Sequence, residues 1–142
     1  MVEALLGAVI VIPLFLLAAN LFLVVAAVTS NDDFCAECCR LASAGRAEVT
    51  GDFEARIKAV VFRSSRDHSE NSLISYRLHS VDIKPGRNEL NRQIEAVSIT
   101  GGTVCGNVTV QTESQVKLIG ISKPLTFVCR QTYPFTCHIA NH

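Results

Sequence analysis

The sequence predicts an α+β protein: a long N-terminal hydrophobic helix, a short second helix and an antiparallel β-sheet in the C-terminal part. Three observations carry this. Residues 4–28 are nearly unbroken apolar, whereas the remainder has the polarity of an ordinary soluble domain. Between residues 31 and 64 apolar side chains recur at spacings of three and four, the period of a helix. Beyond residue 73 they alternate, with β-branched residues and turn signals between the runs, as strands do. A chain of 142 residues has room for one spanning segment, residues 1–45, and one small α+β domain, residues 46–142.

The first 31 residues contain no lysine or arginine, and Glu3 is their only charge. At about 1.5 Å per residue, residues 4–28 reach across a hydrocarbon core of about 30 Å. A carboxylate just before such a run, with no basic stretch ahead of it, is unlike an ordinary signal peptide. Pro13 removes one backbone donor inside the run and is expected to break the helix locally without ending it. Asn20 is the one strong polar group there, expected to hydrogen-bond a neighbouring helix or its own backbone. Residues 31–44 keep Phe34, Cys38, Leu41 and Ala42 at helical spacing, and Gly45 is a natural stop. One helix of about 40 residues and about 60 Å is therefore expected. Its first half is apolar all round, which suits lipid or a helix bundle. Its second half is amphipathic, which suits a docked domain.

A shorter helix is expected over residues 52–64, capped by Thr50 or Asp52, with Phe53, Ile57, Val60 and Val61 as its apolar stripe. Residues 65–72 read as a polar loop. Strands are expected over residues 73–83, 94–100, 104–121 and 125–139, the last broken near Tyr133 and Pro134. Lys84-Pro85-Gly86-Arg87 and Gly101-Gly102 supply turn chemistry. Such a sheet would have one face covered by the helices and one open to water.

The six cysteines, Cys35, Cys38, Cys39, Cys105, Cys129 and Cys137, all follow the apolar run and so share one side of a membrane. An even count there suggests disulfides in an oxidising compartment, with the C-terminal domain outside. The separation of Cys129 and Cys137 suits two strands of a hairpin around Thr132-Tyr133-Pro134. Cys105 would then reach Cys35, Cys38 or Cys39 and tie sheet to helix. Cys35 and Cys38 also form a CxxC, which admits a metal or redox reading. Zinc needs a second pair at matching spacing, and Cys105, Cys129 and Cys137 offer none. A redox motif belongs at a strand-to-helix turn, and this one lies inside an expected helix. Structural disulfides, without metal or cofactor, are the reading taken.

His68, His79, His138 and His142 make no spaced ligand pair. No serine sits in a nucleophile elbow and no glycine-rich phosphate loop follows a strand, so no catalytic machinery is expected. Zero net charge with scattered basic residues argues against nucleic acid. The Asn107-Val108-Thr109 sequon falls in an expected strand and is uninformative about glycosylation. Glu3 stands apart. A carboxylate at the edge of an apolar run is costly unless it stays at the interface or meets a cation. Among staggered helices, the available cation is the terminal amine of the next subunit.

The segment MVEALLGAVIVIPLFLLAANLFLVVAAV resembles the N-terminus of TadE-like pilins and pseudopilins of tight-adherence, type IV pilus-like systems. These share small residues, Val-Glu, an apolar stretch, a proline and more apolar residues. Glu3 matches the family glutamate and Pro13 the family proline. The likeness is specific over that segment and architectural beyond it. It implies processing by a prepilin peptidase, insertion in a membrane and delivery by a pilus assembly platform into an extracellular filament. Expected partners are copies of the chain or other pilins, packed through the N-terminal helix, with Glu3, Pro13 and Asn20 as assembly positions. The expected function is that of a structural subunit for adhesion or secretion. The rival is a single-pass anchor displaying an extracytoplasmic binding or sensory domain. A tethered thiol oxidoreductase is a third reading, and it requires a free, reactive Cys35 or Cys38.

Overall fold

A computed structural model describes the backbone of residues 2–43, 59 and 73–139, and their side chains except those of 2–6, 87, 98 and 137–139. The elements run α1 (Val2–Ser43), β1 (Ile74–Lys84), α2 (Arg87–Thr100), β2 (Gly102–Val116) and β3 (Leu125–Ile139). The architecture is the expected α+β one, with a long apolar N-terminal helix, a short helix and an antiparallel sheet. The helix expected over residues 52–64 lies, but for helical Ala59, outside the described residues.

Helix α1 has 42 residues and is therefore about 63 Å long. It stays helical on both sides of Pro13, so the local break expected there does not interrupt it. The sheet is a three-stranded meander, β1-β2-β3, with both pairs antiparallel. Residues 94–100 are not a strand. They complete α2, because Leu90, Ile94 and Val97 fall on one face at helical spacing and pack on the sheet. Gly101, with φ 68°, ends that helix. Nor is β3 broken at Tyr133 and Pro134: both pair in register with Val108 and Asn107. Since β3 is an edge strand among the described residues, the amide that proline lacks need not be a ladder donor.

Burial alternates along β2, where Val104, Val108, Val110, Thr112, Ser114 and Val116 are buried. A bulge in β1 keeps that face continuous. The register slips between Leu78 and Ser80, leaving His79 as the extra residue. Tyr76 and Leu78 face the core before the slip, and Val81 and Ile83 after it. Without the bulge, the second half of the strand would turn its aliphatic side chains to water. The second half of α1 lies on this face, antiparallel to β2. Its Phe34, Cys35, Cys38, Cys39 and Ala42 join Leu78, Val108, Val110 and Phe135 in one core. The Phe34 and Tyr76 rings meet at 6.1 Å between centroids.

Candidate functional site

Among the described residues nothing packs on α1 from Gly7 to Ala18, all of which are exposed. Ile12, Leu14 and Leu17 are bare, and Phe15 is 74% exposed. An 18-residue window of α1 has a mean hydropathy of 2.8 and none of it is buried in the molecule. Burying each large aliphatic side chain is worth about 2 kcal/mol. A contiguous surface of this kind is a contact surface rather than a solvated one, and the helix is long and apolar enough to cross a membrane. Pro13 sits in the middle of this bare stretch and the backbone of Glu3 in the first turn. The Glu3 side chain lies outside the described residues.

Asn20 marks where the bare stretch ends. Its Nδ2 donates to the Ile119 carbonyl at 3.1 Å, and its Oδ1 accepts from the Ile119 amide at 2.8 Å. Its partner is therefore the β2–β3 loop of its own chain, not a neighbouring helix or the helix's own backbone. A carboxamide carries one donor and one acceptor side, so it can pair with a peptide group as a strand neighbour does. No local signal in the sequence links positions 20 and 119.

Above Asn20 a seam of small residues lets helix and sheet approach closely. Ala27, Cys35, Cys38 and Cys39 are wholly buried, and Asn31 and Ala42 almost so. Ser114 Oγ donates to the Ala27 carbonyl at 3.5 Å and Asn31 Nδ2 to the Phe127 carbonyl at 3.5 Å. The Cys35 thiol reaches the Val110 carbonyl and the Cys39 thiol that of Gln131, each at 3.4 Å. Helix side chains thus contact strand backbone directly. Two atoms inside the seam, Asn31 Oδ1 and Thr112 Oγ1, have no hydrogen-bond partner.

Cys35, Cys39 and Cys129 gather in this seam, with Gln131 Nε2 at 3.7 Å from Cys129 Sγ and at 3.3 Å from the Asp32 carbonyl. The Cys39 side chain and burial hold the Cys35 thiol well above its ordinary pKa. Burial pushes Cys38 up to about 12, helped by the neighbouring Cys35 and Glu37. It pushes Cys129 up to about 12 as well, with Asp32 and Cys35 adding to it. The thiolate is the nucleophile, and protonated, enclosed thiols such as Cys35 and Cys38 are poorly placed to attack anything from solvent. Among the described residues no three His, Cys, Asp or Glu side chains converge as a metal site.

The disulfide scheme expected from spacing is corrected. Cys35, Cys38, Cys39, Cys105 and Cys129 all carry free thiols. Cys129 and Cys137 are on one strand, about 26 Å apart at about 3.3 Å per residue, because the assumed hairpin turn is continuous β3. Cys105 is exposed on the face away from α1, one residue out of phase with Val104. The cysteine that does meet the helix is Cys129, opposite buried Thr112. Strand parity could have told Cys105 from Cys129, had the boundaries of β2 and β3 been known. Of the histidines, His79 at the bulge lies 4.0 Å from Glu113 Oε2 on the open face. Asp33, Glu37 and Arg40 of α1 and Tyr133 of β3 line an open groove between helix and strand.

No known protein family, curated protein or solved structure matches this chain.

Proposed function

We propose that the chain is a pilin-like structural subunit, held in a membrane by α1 before assembly and packed through the same helix with other copies or other pilins afterwards. One observation carries this reading: a single continuous helix is bare and apolar in one half and fixed to a sheet in the other. Lipid and helix bundles both accept an all-apolar cylinder, so the bare half can pass from one to the other without refolding. The fixed half carries the domain along as a rigid head. The N-terminal likeness to TadE-like pilins adds the prepilin peptidase and the assembly platform as partners, and adhesion or secretion as the purpose. The head then lies outside the cytoplasm and, after assembly, on the surface of an extracellular filament.

A photo-crosslinking residue at Phe15, in cells expressing the full chain, tests this. Helix-to-helix adducts between copies or with other pilins, recovered in sheared appendages by mass spectrometry and seen as filaments by electron microscopy, are expected. Adducts with lipid alone and a chain confined to the membrane would overturn it in favour of the single-pass anchor.

A further inference from the structure

We infer that the β2–β3 loop, residues 117–124, is a membrane-interface foot that seats its apolar tip among acyl chains and its lysines among anionic lipid headgroups. The inference rests on α1 spanning a bilayer. Ile119 and Ile121 at the tip are about half exposed, at 47% and 52%, and Leu125 and Leu73 beside them are exposed at 42% and 46%. Grouped at one end of the sheet, these aliphatic side chains form an exposed apolar patch of the kind that marks a contact surface. The same short loop carries Lys117 and Lys123, both exposed, and no acidic residue. Leu73 is held to it by the bond from the Lys117 amide to the Leu73 carbonyl at 2.9 Å.

The position of the loop says what covers it. Helix α1 descends along β2, with Cys35 at Val110, Ala27 at Ser114 and Asn20 at Ile119. The loop is therefore the end of the sheet that faces the bare half of α1. From residue 4, where the apolar run begins, to Asn20 the helix rises about 24 Å. A hydrocarbon core of about 30 Å exceeds that stretch by about 6 Å, which brings the Asn20–Ile119 contact to the acyl-chain side of the headgroup boundary. Aliphatic side chains lowered into the boundary and lysines level with lipid phosphates are the pattern of interfacial anchors. The two bonds from Asn20 then fix the depth of the foot relative to the span. The occupant is a lipid surface bearing anionic headgroups.

The chain has no tryptophan, so single Trp substitutions report depth in the full-length protein. The test uses vesicles of phosphatidylcholine and phosphatidylglycerol containing brominated lipids. Leu14→Trp probes the span, Ile121→Trp the foot and Arg130→Trp the open face of the sheet. The expected result is quenching of Leu14→Trp by bromines deep in the acyl chains and of Ile121→Trp by bromines near the glycerol, with blue-shifted emission. Arg130→Trp should stay quenchable only by aqueous acrylamide. Adding Lys117→Glu and Lys123→Glu to Ile121→Trp should weaken its shallow quenching in these vesicles. Deep quenching of Leu14→Trp together with water-exposed emission from Ile121→Trp would overturn the foot and leave the span standing. Loss of the Leu14→Trp quenching would remove the span itself.

Discussion

Gly106→Ala probes the packing that holds the head together. Gly106 has no positive φ, so its backbone does not demand glycine; the space around it does. A Cβ there would lie 2.5 Å from Phe135 Cζ and 2.6 Å from the Lys84 carbonyl oxygen. Non-bonded carbon atoms sit about 3.5–4.0 Å apart, so strands on both sides of β2 would have to give by about 1 Å. The Phe135 ring, itself only 3% exposed, covers the bare backbone of its cross-strand partner Gly106. Overpacking a core position costs about 1–3 kcal/mol. A backbone oxygen on one side cannot rotate away, which places this substitution near about 3 kcal/mol. For a head of this size that is a fall in Tm of about 15 °C. Thermal unfolding of the full chain in detergent, followed by near-ultraviolet circular dichroism, would measure it. Phe135→Leu shortens the ring and should recover part of the loss, so the double variant should be less destabilised than the sum of the two singles. A shift within about 0.5 kcal/mol for Gly106→Ala, or strict additivity with Phe135→Leu, would refute the reasoning.

Asn20→Leu removes both bonds to Ile119 and should destabilise the helix–loop junction by about 1–2 kcal/mol; amide exchange at Ile119 should rise while exchange at Val110 stays slow. Thiol labelling of the native chain should modify exposed Cys105 first, with Cys35, Cys38 and Cys39 reacting only on unfolding; fast labelling of Cys38 would show the seam to be open. The folded pKa of Cys38 is raised from 9.0 to about 12, so its contribution to stability is complete below pH 9 and declines as pH rises toward 12. Urea titrations across that range should show stability falling by up to about 1.4 kcal/mol per pH unit from this thiol, and Cys38→Ala should flatten the slope. Glu3→Ala should leave a membrane-inserted chain with a folded head that fails to enter appendages, and normal incorporation would contradict the proposed role.

Part of this protein was legible in one dimension. Uninterrupted apolarity over residues 4–28 and three-four spacing beyond it are local properties of the chain, and they marked out α1 and its two halves. Two of the strands, β1 and β3, were found close to their ends because alternation and turn residues are local too. The misreadings share a cause. Residues 94–100 carry β-branched side chains that suit a strand in isolation, but the face made by Leu90, Ile94 and Val97 is buried only in a helix on the sheet. Pro134 looks like a break until β3 is known to be an edge. Cys105 and Cys129 are equivalent as cysteines, and strand parity and register decide that one faces water and the other the helix. Asn20 and Ile119 are 99 residues apart, and nothing in either neighbourhood announces the other. Composition and periodicity determined which segments form and which surface must leave water. Only the tertiary structure decided which residues meet, because a contact depends on where two backbones are brought together, and neither segment carries that by itself.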